Sequence, residues 1–316
     1  MQSNLHHRLS RRAVLVLLTL LVAFPFGAQA LDQEFYIGVA SRLMIFALAA
    51  TSLNLVLGFG GMVSLGHAAY FGAGAYTVGI LMQHGISSAW LGWPAAIVVS
   101  ALLAALIGMI SLRTRGVYFI MITLAFAQMV YYLFVSLRAY GGDDGLSLMA
   151  RSVTGFDMSS DTVFYFIVLA MLALSVGFVH RLVNSRFGRV VQAIRENETR
   201  MEAIGYPVFR YKLACFAIGG GLAGLAGALL ANQNMLVSPN LLHWTQSGML
   251  MVMVILGGTG YLFGGVIGAV AILLLEEVLS GYTMHWQLAL GIVLLTVVML
   301  LPNGLASLFQ RREEKA

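Results

Sequence analysis

Residues 186–205 read RFGRVVQAIRENETRMEAIG, a polar stretch lying between two long apolar runs. It belongs to a segment, 181–212, that carries seven basic residues. Three shorter stretches hold Arg8, Arg11 and Arg12, then Arg113 and Arg115, then Arg311, Arg312 and Lys315. These four stretches contain fifteen of the eighteen Lys and Arg residues, and apolar runs separate them. Basic residues gather in cytoplasmic loops because the positive-inside bias sets membrane orientation. The chain therefore reads as an all-α polytopic membrane protein. Its largest basic loop, roughly 183–211, and both termini face the cytoplasm.

Composition agrees. Hydrophobic residues make up 59% of the chain and charged residues 10%, against about 25% charged in a soluble domain. A net charge of +5 would otherwise invite a nucleic-acid reading, but here topology accounts for the basic residues, and no nucleic-acid partner is expected. The single cysteine, Cys215, excludes an internal disulfide or a Cys-built zinc site. Of the seven histidines only His67 lies well inside an apolar run, so neither a metal nor another cofactor is expected. No Gly-x-x-x-x-Gly-Lys-Ser/Thr occurs, so ATP hydrolysis through a Walker loop would have to reside on another subunit.

Ten apolar spans can be drawn: 13–31, 35–58, 62–82, 89–112, 116–138, 162–182, 212–232, 245–258, 261–281 and 286–302. Ten is an even number and returns the basic C-terminus to the side of the basic N-terminus; fusing 245–281 into one span would not. The division is a tail at 1–12, a membrane domain at 13–304 and a second tail at 305–316. The first span has a rival reading, because Arg11-Arg12, an apolar stretch and Ala28-Gln29-Ala30 imitate a cleavable secretory signal. The retained helix is preferred, since 13–31 is long enough to span. Glycine-rich runs at 72–79, 219–227 and 257–268 suit close helix packing.

Between residues 35 and 142 there is no Asp or Glu. Ion-coupled carriers usually place an ionisable group near the midplane, so this absence disfavours a secondary transporter. The one charge clearly inside a span is Arg42, roughly 10–12 Å along its helix, where snorkelling to the interface is expected. Asn54, Ser64, His67, Thr123 and Gln128 are mild polar groups within spans. They can bond between helices or line a weakly polar path.

Within 186–205, Val190, Ile194, Met201 and Ile204 fall roughly on one helical face, opposite Arg189, Arg195, Glu196 and Glu202. Gly205 is a natural stop, and Pro207 prevents easy continuation. One amphipathic helix is predicted. Its mixed-sign polar face suits a protein socket better than anionic lipid.

Several motifs carry a family resemblance: SLNLVLG at 52–58, SLGHAAYFGAGAY at 64–76, RGVYF at 115–119, the 188–205 stretch, and VILGGTG at 254–260. They resemble the permease subunits of bacterial branched-chain amino-acid ABC importers, over about residues 40–304. The resemblance implies a type II importer-like bundle in the inner membrane, without catalytic activity of its own. It implies as partners a second homologous permease, two cytoplasmic ATPases and a periplasmic binding protein. Arg189, Arg195, Glu196, Glu198, Glu202, Ala203 and Gly205 would then couple to an ATPase, with Ile204 where the fuller signature has a second Ala. Asn54, Ser64, His67, Thr123 and Gln128 become candidates for the translocation path. Urea, short amides and other small amino-acid-like solutes stay open as substrates. The charge pattern predicts that reporters fused after Asp143 and Asp157 are periplasmic, whereas fusions near Thr199 and after Arg312 are cytoplasmic. A periplasmic C-terminus would remove one span from the count.

Overall fold

The computed structural model describes residues 11–30, 33–153, 158, 160–282, 285–301 and 304–309. Most of both expected tails, with Arg8, Arg311, Arg312 and Lys315, and the acidic Asp32 and Asp157 lie outside the described residues. Among those residues the chain is mostly helical, with one two-stranded ribbon. Six helices are long and apolar enough to cross a bilayer: α2 with a π-helical last turn (Phe35–Phe59), α4 (Ala89–Ser111), α5 (Val117–Ser136), α6 (Asp161–Asn184), α9 (Val208–Asn234) and α11 (Gly264–Tyr282). Four more apolar runs are also helical: α1 (Arg11–Ala30), α3 (His67–Gln83), α10 (Trp244–Gly257) and α12 (Trp286–Leu300). Two short helices, α7 (Arg186–Glu196) and α8 (Glu198–Ala203), occupy the basic loop.

Helix α3 starts at the fully buried His67, and the chain reaches it through a non-helical stretch at 61–66. α10 has 14 residues, about 21 Å at the helical rise, against the roughly 30 Å of a hydrocarbon core. The chain reaches α10 through an extended pair, Leu236–Val237, and a 3-10 turn, Pro239–Leu242. Non-helical backbone is tolerated at depth only where protein satisfies its polar groups. At α3, the Leu65 N–H donates to Thr123 Oγ1 (3.3 Å), the Gly66 N–H to Ser64 Oγ (3.1 Å) and the Ala68 N–H to Ser247 Oγ (2.7 Å). Before α10, Leu236–Val237 (β2) pairs antiparallel with Leu146–Ser147 (β1). The Ser152 N–H then donates to the buried Asn232 Oδ1 (2.7 Å).

α4 lies along α9, and α11 along α2. Small residues bring α3 close to α9, and α10 close to α11. A Cβ at Gly74 would strike the Gly224 carbonyl, one at Gly227 the Phe71 carbonyl, and one at Gly268 the Met253 carbonyl.

α1 docks on α6, with Phe24 stacked on Tyr165 and Gln29 Nε2 donating to Thr162 Oγ1 (2.8 Å). Pro25 sits inside α1 and has no N–H, which leaves the Leu21 carbonyl without its helical donor. The Tyr165 hydroxyl supplies the missing hydrogen bond at 2.7 Å. Tyr165→Phe keeps the ring and orphans that carbonyl. It is expected to destabilise the detergent-solubilised protein by about 0.5–1.5 kcal/mol, read as a lower thermal midpoint. An unchanged midpoint would mean that the bond contributes nothing.

Candidate functional site

The basic loop folds as a helix pair rather than the single helix expected from its periodicity. Ser185 opens α7, its hydroxyl accepting the Gly188 N–H at 3.2 Å. Asn197 is extended (φ −157°, ψ 98°) and its side chain accepts the Arg200 N–H at 2.9 Å, ending α7 and capping α8. Asn favours this side-chain bond over a helix-interior position, so the register restarts there. The predicted apolar face divides accordingly. Ile194 and Met201 are buried with Val208 against Val190 and Tyr211, while Ile204 is 64% exposed. Gly205, at φ +92°, closes α8. Its N–H donates to the Glu202 carbonyl (2.9 Å), and the Tyr206 N–H to the Met201 carbonyl (3.1 Å), the paired bonds of a left-handed helix stop.

The polar groups of the pair divide between the chain itself and solvent. Glu198 takes the Lys212 ammonium of α9 at 2.6 Å, both largely buried. Arg115, from the α4–α5 turn, reaches Glu198 at 3.5 Å and Glu202 at 3.4 Å. It is 65% exposed, where pairs of this kind contribute about 0–1 kcal/mol. The Arg195 guanidinium donates to the Gly58 carbonyl at the end of α2. Arg189, Glu196, Ala203 and Gly205 are exposed.

Gly58 lies at the centre of a second contact. Asn54, buried on α2, donates through Nδ2 to the Tyr261 carbonyl (2.7 Å) and accepts the Gly260 N–H at Oδ1 (3.0 Å). A Cβ on Gly58 would sit 2.5 Å from the Gly260 nitrogen, so the two turns meet backbone to backbone. Three of the motifs singled out in the sequence, at 52–58, 188–205 and 254–260, thus converge on one point.

The remaining candidates lie deeper. Ser64 and Thr123 serve the start of α3, as described above, and both are fully buried. His67 Nε2 lies 2.8 Å from Ser52 Oγ. Ser52 donates its only hydroxyl proton to the Ala49 carbonyl (2.6 Å), so the imidazole proton belongs on Nε2. His67 Nδ1, the Tyr70 hydroxyl and Gln128 Nε2 are buried polar atoms without a partner among the described residues. Arg42 does not simply snorkel: its guanidinium meets Glu276 of α11 at 3.8 Å and lies over the Phe46 ring. Among the described residues no three His, Cys, Asp or Glu side chains gather as metal ligands. The sequence alone does not connect Arg115 or Lys212 with Glu198, or Ser247 with α3, 179 residues away.

The profile of the permease component of branched-chain amino acid transport systems matches residues 35–301. The chain belongs to that family. The permease is 28% identical to the high-affinity branched-chain amino acid transport system permease protein LivM of Salmonella typhimurium, over 92% of its own length and 74% of that protein's. It is 26% identical to a probable LivM of Methanocaldococcus jannaschii, covering 78% and 82% of the two chains. With LivH of Escherichia coli K12 the identity is 27%, over 82% and 90%. No solved structure matches it.

Replacing Asn54 tests the junction between the turns. Asn54→Ala removes the partner of the Gly260 N–H and leaves the Tyr261 carbonyl with the Gly264 N–H alone, at about 0.5–1.5 kcal/mol for each lost bond. Asn54→Asp keeps the acceptor but faces the Tyr261 carbonyl with a charge. Both should lower the yield of monodisperse permease on size exclusion, Asp more than Ala; equal behaviour to the parent would show the junction to be dispensable.

Proposed function

We propose that the permease is the translocation subunit of an ATP-driven importer for branched-chain amino acids in the bacterial inner membrane. It forms the path with a second, homologous permease and receives substrate from a periplasmic binding protein. Two cytoplasmic ATPases dock on it and carry the hydrolysis, so this chain is itself non-catalytic. The ten apolar helices are read as ten spans of a type II importer-like bundle, with both termini and the α7–α8 pair in the cytoplasm. The substrate reading rests on the names of its LivM and LivH relatives.

The observation that carries ATPase docking is the tip of the helix pair. Ala203, Ile204, Gly205, Tyr206 and Phe209 form an exposed, mostly apolar surface, with Arg189 and Glu196 exposed on α7. An apolar centre with a polar rim is the composition of a protein interface. Its backing is firm, because Glu198, Glu202 and Arg195 tie the pair to α9, the α4–α5 turn and α2. For the path, His67 and Gln128 are favoured over Asn54, Ser64 and Thr123, whose hydrogen bonds go to the backbone.

Ile204→Asp places a charge at the centre of this surface without disturbing buried groups. It should reduce co-purification of the ATPases with the permease at least tenfold, about 1.4 kcal/mol, while membrane insertion is unchanged. Undiminished co-purification would overturn the docking surface. In a parallel measurement the chain alone in liposomes should accumulate no leucine under a proton or sodium gradient. Accumulation would establish an ion-coupled carrier instead.

A further inference from the structure

Arg195 belongs to the group that the family resemblance assigns to ATPase contact, yet its guanidinium points back into its own chain. The inner end of α2 explains what it meets there. In the π-helical last turn and just beyond it, the Gly60, Gly61 and Met62 N–H groups donate to the Leu55, Leu57 and Val56 carbonyls. Arg195 Nη1 donates to the Gly58 carbonyl, at the negative end of the helix dipole. The slot that admits the side chain is lined by glycine. A Cβ on Gly61 would lie 2.7 Å from Arg195 Cγ, and one on Gly260 would lie 3.2 Å from Nη1. Both glycines have positive φ, +69° and +82°, so the turns are shaped around the side chain on backbone that other residues rarely adopt. Across the slot, Asn54 fastens the same Gly58 turn to Gly260 and Tyr261. Arg195 therefore meets the end of α2 and the turn that joins α10 to α11.

We infer that Arg195 is a positioning residue that transmits movement of the α7–α8 pair to the inner ends of α2, α10 and α11, rather than an ATPase contact. The inference rests on the importer reading above and divides its labour: the Ile204 surface holds the ATPase, and Arg195 carries the resulting displacement into the bundle. Glycines suit this role, because a turn without side chains passes a displacement as backbone movement. The guanidinium suits it too. Its fixed planar fork holds direction as well as distance, which a single ammonium cannot do.

The test uses the whole complex, with ATPases, second permease and binding protein, reconstituted in liposomes and supplied with radiolabelled leucine. Three quantities are read: ATPase co-purification, ATP hydrolysis rate, and leucine transported per ATP hydrolysed. Arg195→Ala should keep co-purification within twofold of the parent and lower leucine per ATP at least tenfold. Arg195→Lys should recover part of that ratio. Gly61→Ala, which crowds Arg195 Cγ from the opposite side and leaves the exposed tip intact, should reproduce the uncoupling and also guards against a misfolded Arg195→Ala. Loss of co-purification in Arg195→Ala would make Arg195 a docking contact and overturn the inference while leaving the importer reading in place. An unchanged leucine-to-ATP ratio in both Arg195→Ala and Gly61→Ala would overturn it as well. Failure of the importer reading gives a different result, since no ATPase would then co-purify with the parent permease or leucine would accumulate without ATP.

Discussion

Backbone amides buried away from water must be paired, and nearly every unusual feature of this permease answers that demand. Continuous helices satisfy it internally. The non-helical stretch at 61–66 cannot, and the chain surrounds it with short polar side chains. Ser64, Thr123 and Ser247 receive amides around the start of α3. Asn232 receives the Ser152 amide from the loop before α6, and Asn54 pairs both an amide and a carbonyl of the α10–α11 turn. The orphaned Leu21 carbonyl above Pro25 finds Tyr165 by the same logic. Polar residues in the spans are thus mostly spent on the chain's own backbone, and His67, Tyr70 and Gln128 are among the buried groups with polar capacity in reserve.

Close approach is the second consequence. Pairing across helices needs backbones near one another, and glycine supplies that distance where α3, α4 and α9 meet and where α10 meets α11. In lipid there is little hydrophobic gain from helix association, so these contacts rely on packing and hydrogen bonds. The Ser100 hydroxyl shows both: it donates to the Tyr70 carbonyl at 2.9 Å and fills the notch left by Gly224.

The all-helical membrane class was legible because it depends on period and composition, and each apolar run contains a helix. Depth was not legible. Nothing local in 61–66 announces that this stretch packs inside the bundle, since two of the side chains that satisfy it, Thr123 and Ser247, come from distant segments. The loop at 186–205 was legible in its stop at Gly205 but not in its break, because Asn197 could as well have faced solvent within one helix. Charge was read by sign alone: Arg195, Glu198 and Glu202 were recognised as polar positions facing outward, whereas three of their partners, Gly58, Lys212 and Arg115, are settled by packing. Arg42 is the same case, its ion pair with Glu276 set by the packing of α11 on α2.

The convergence of three motifs at one junction also changes how they are understood. As linear stretches, 52–58, 188–205 and 254–260 invite three separate roles: a path, a docking helix and a turn. In three dimensions Gly58 is their common element, approached by Asn54 and Gly260 on one side and by Arg195 on another. A side chain at any of the glycines would force the turns apart, so the requirement for small residues there is a requirement for contact between α2, α10–α11 and the helix pair. Packed contacts of this kind shift between discrete arrangements rather than stretching. The junction is therefore the place where a rigid movement of the helix pair becomes a movement of the membrane helices.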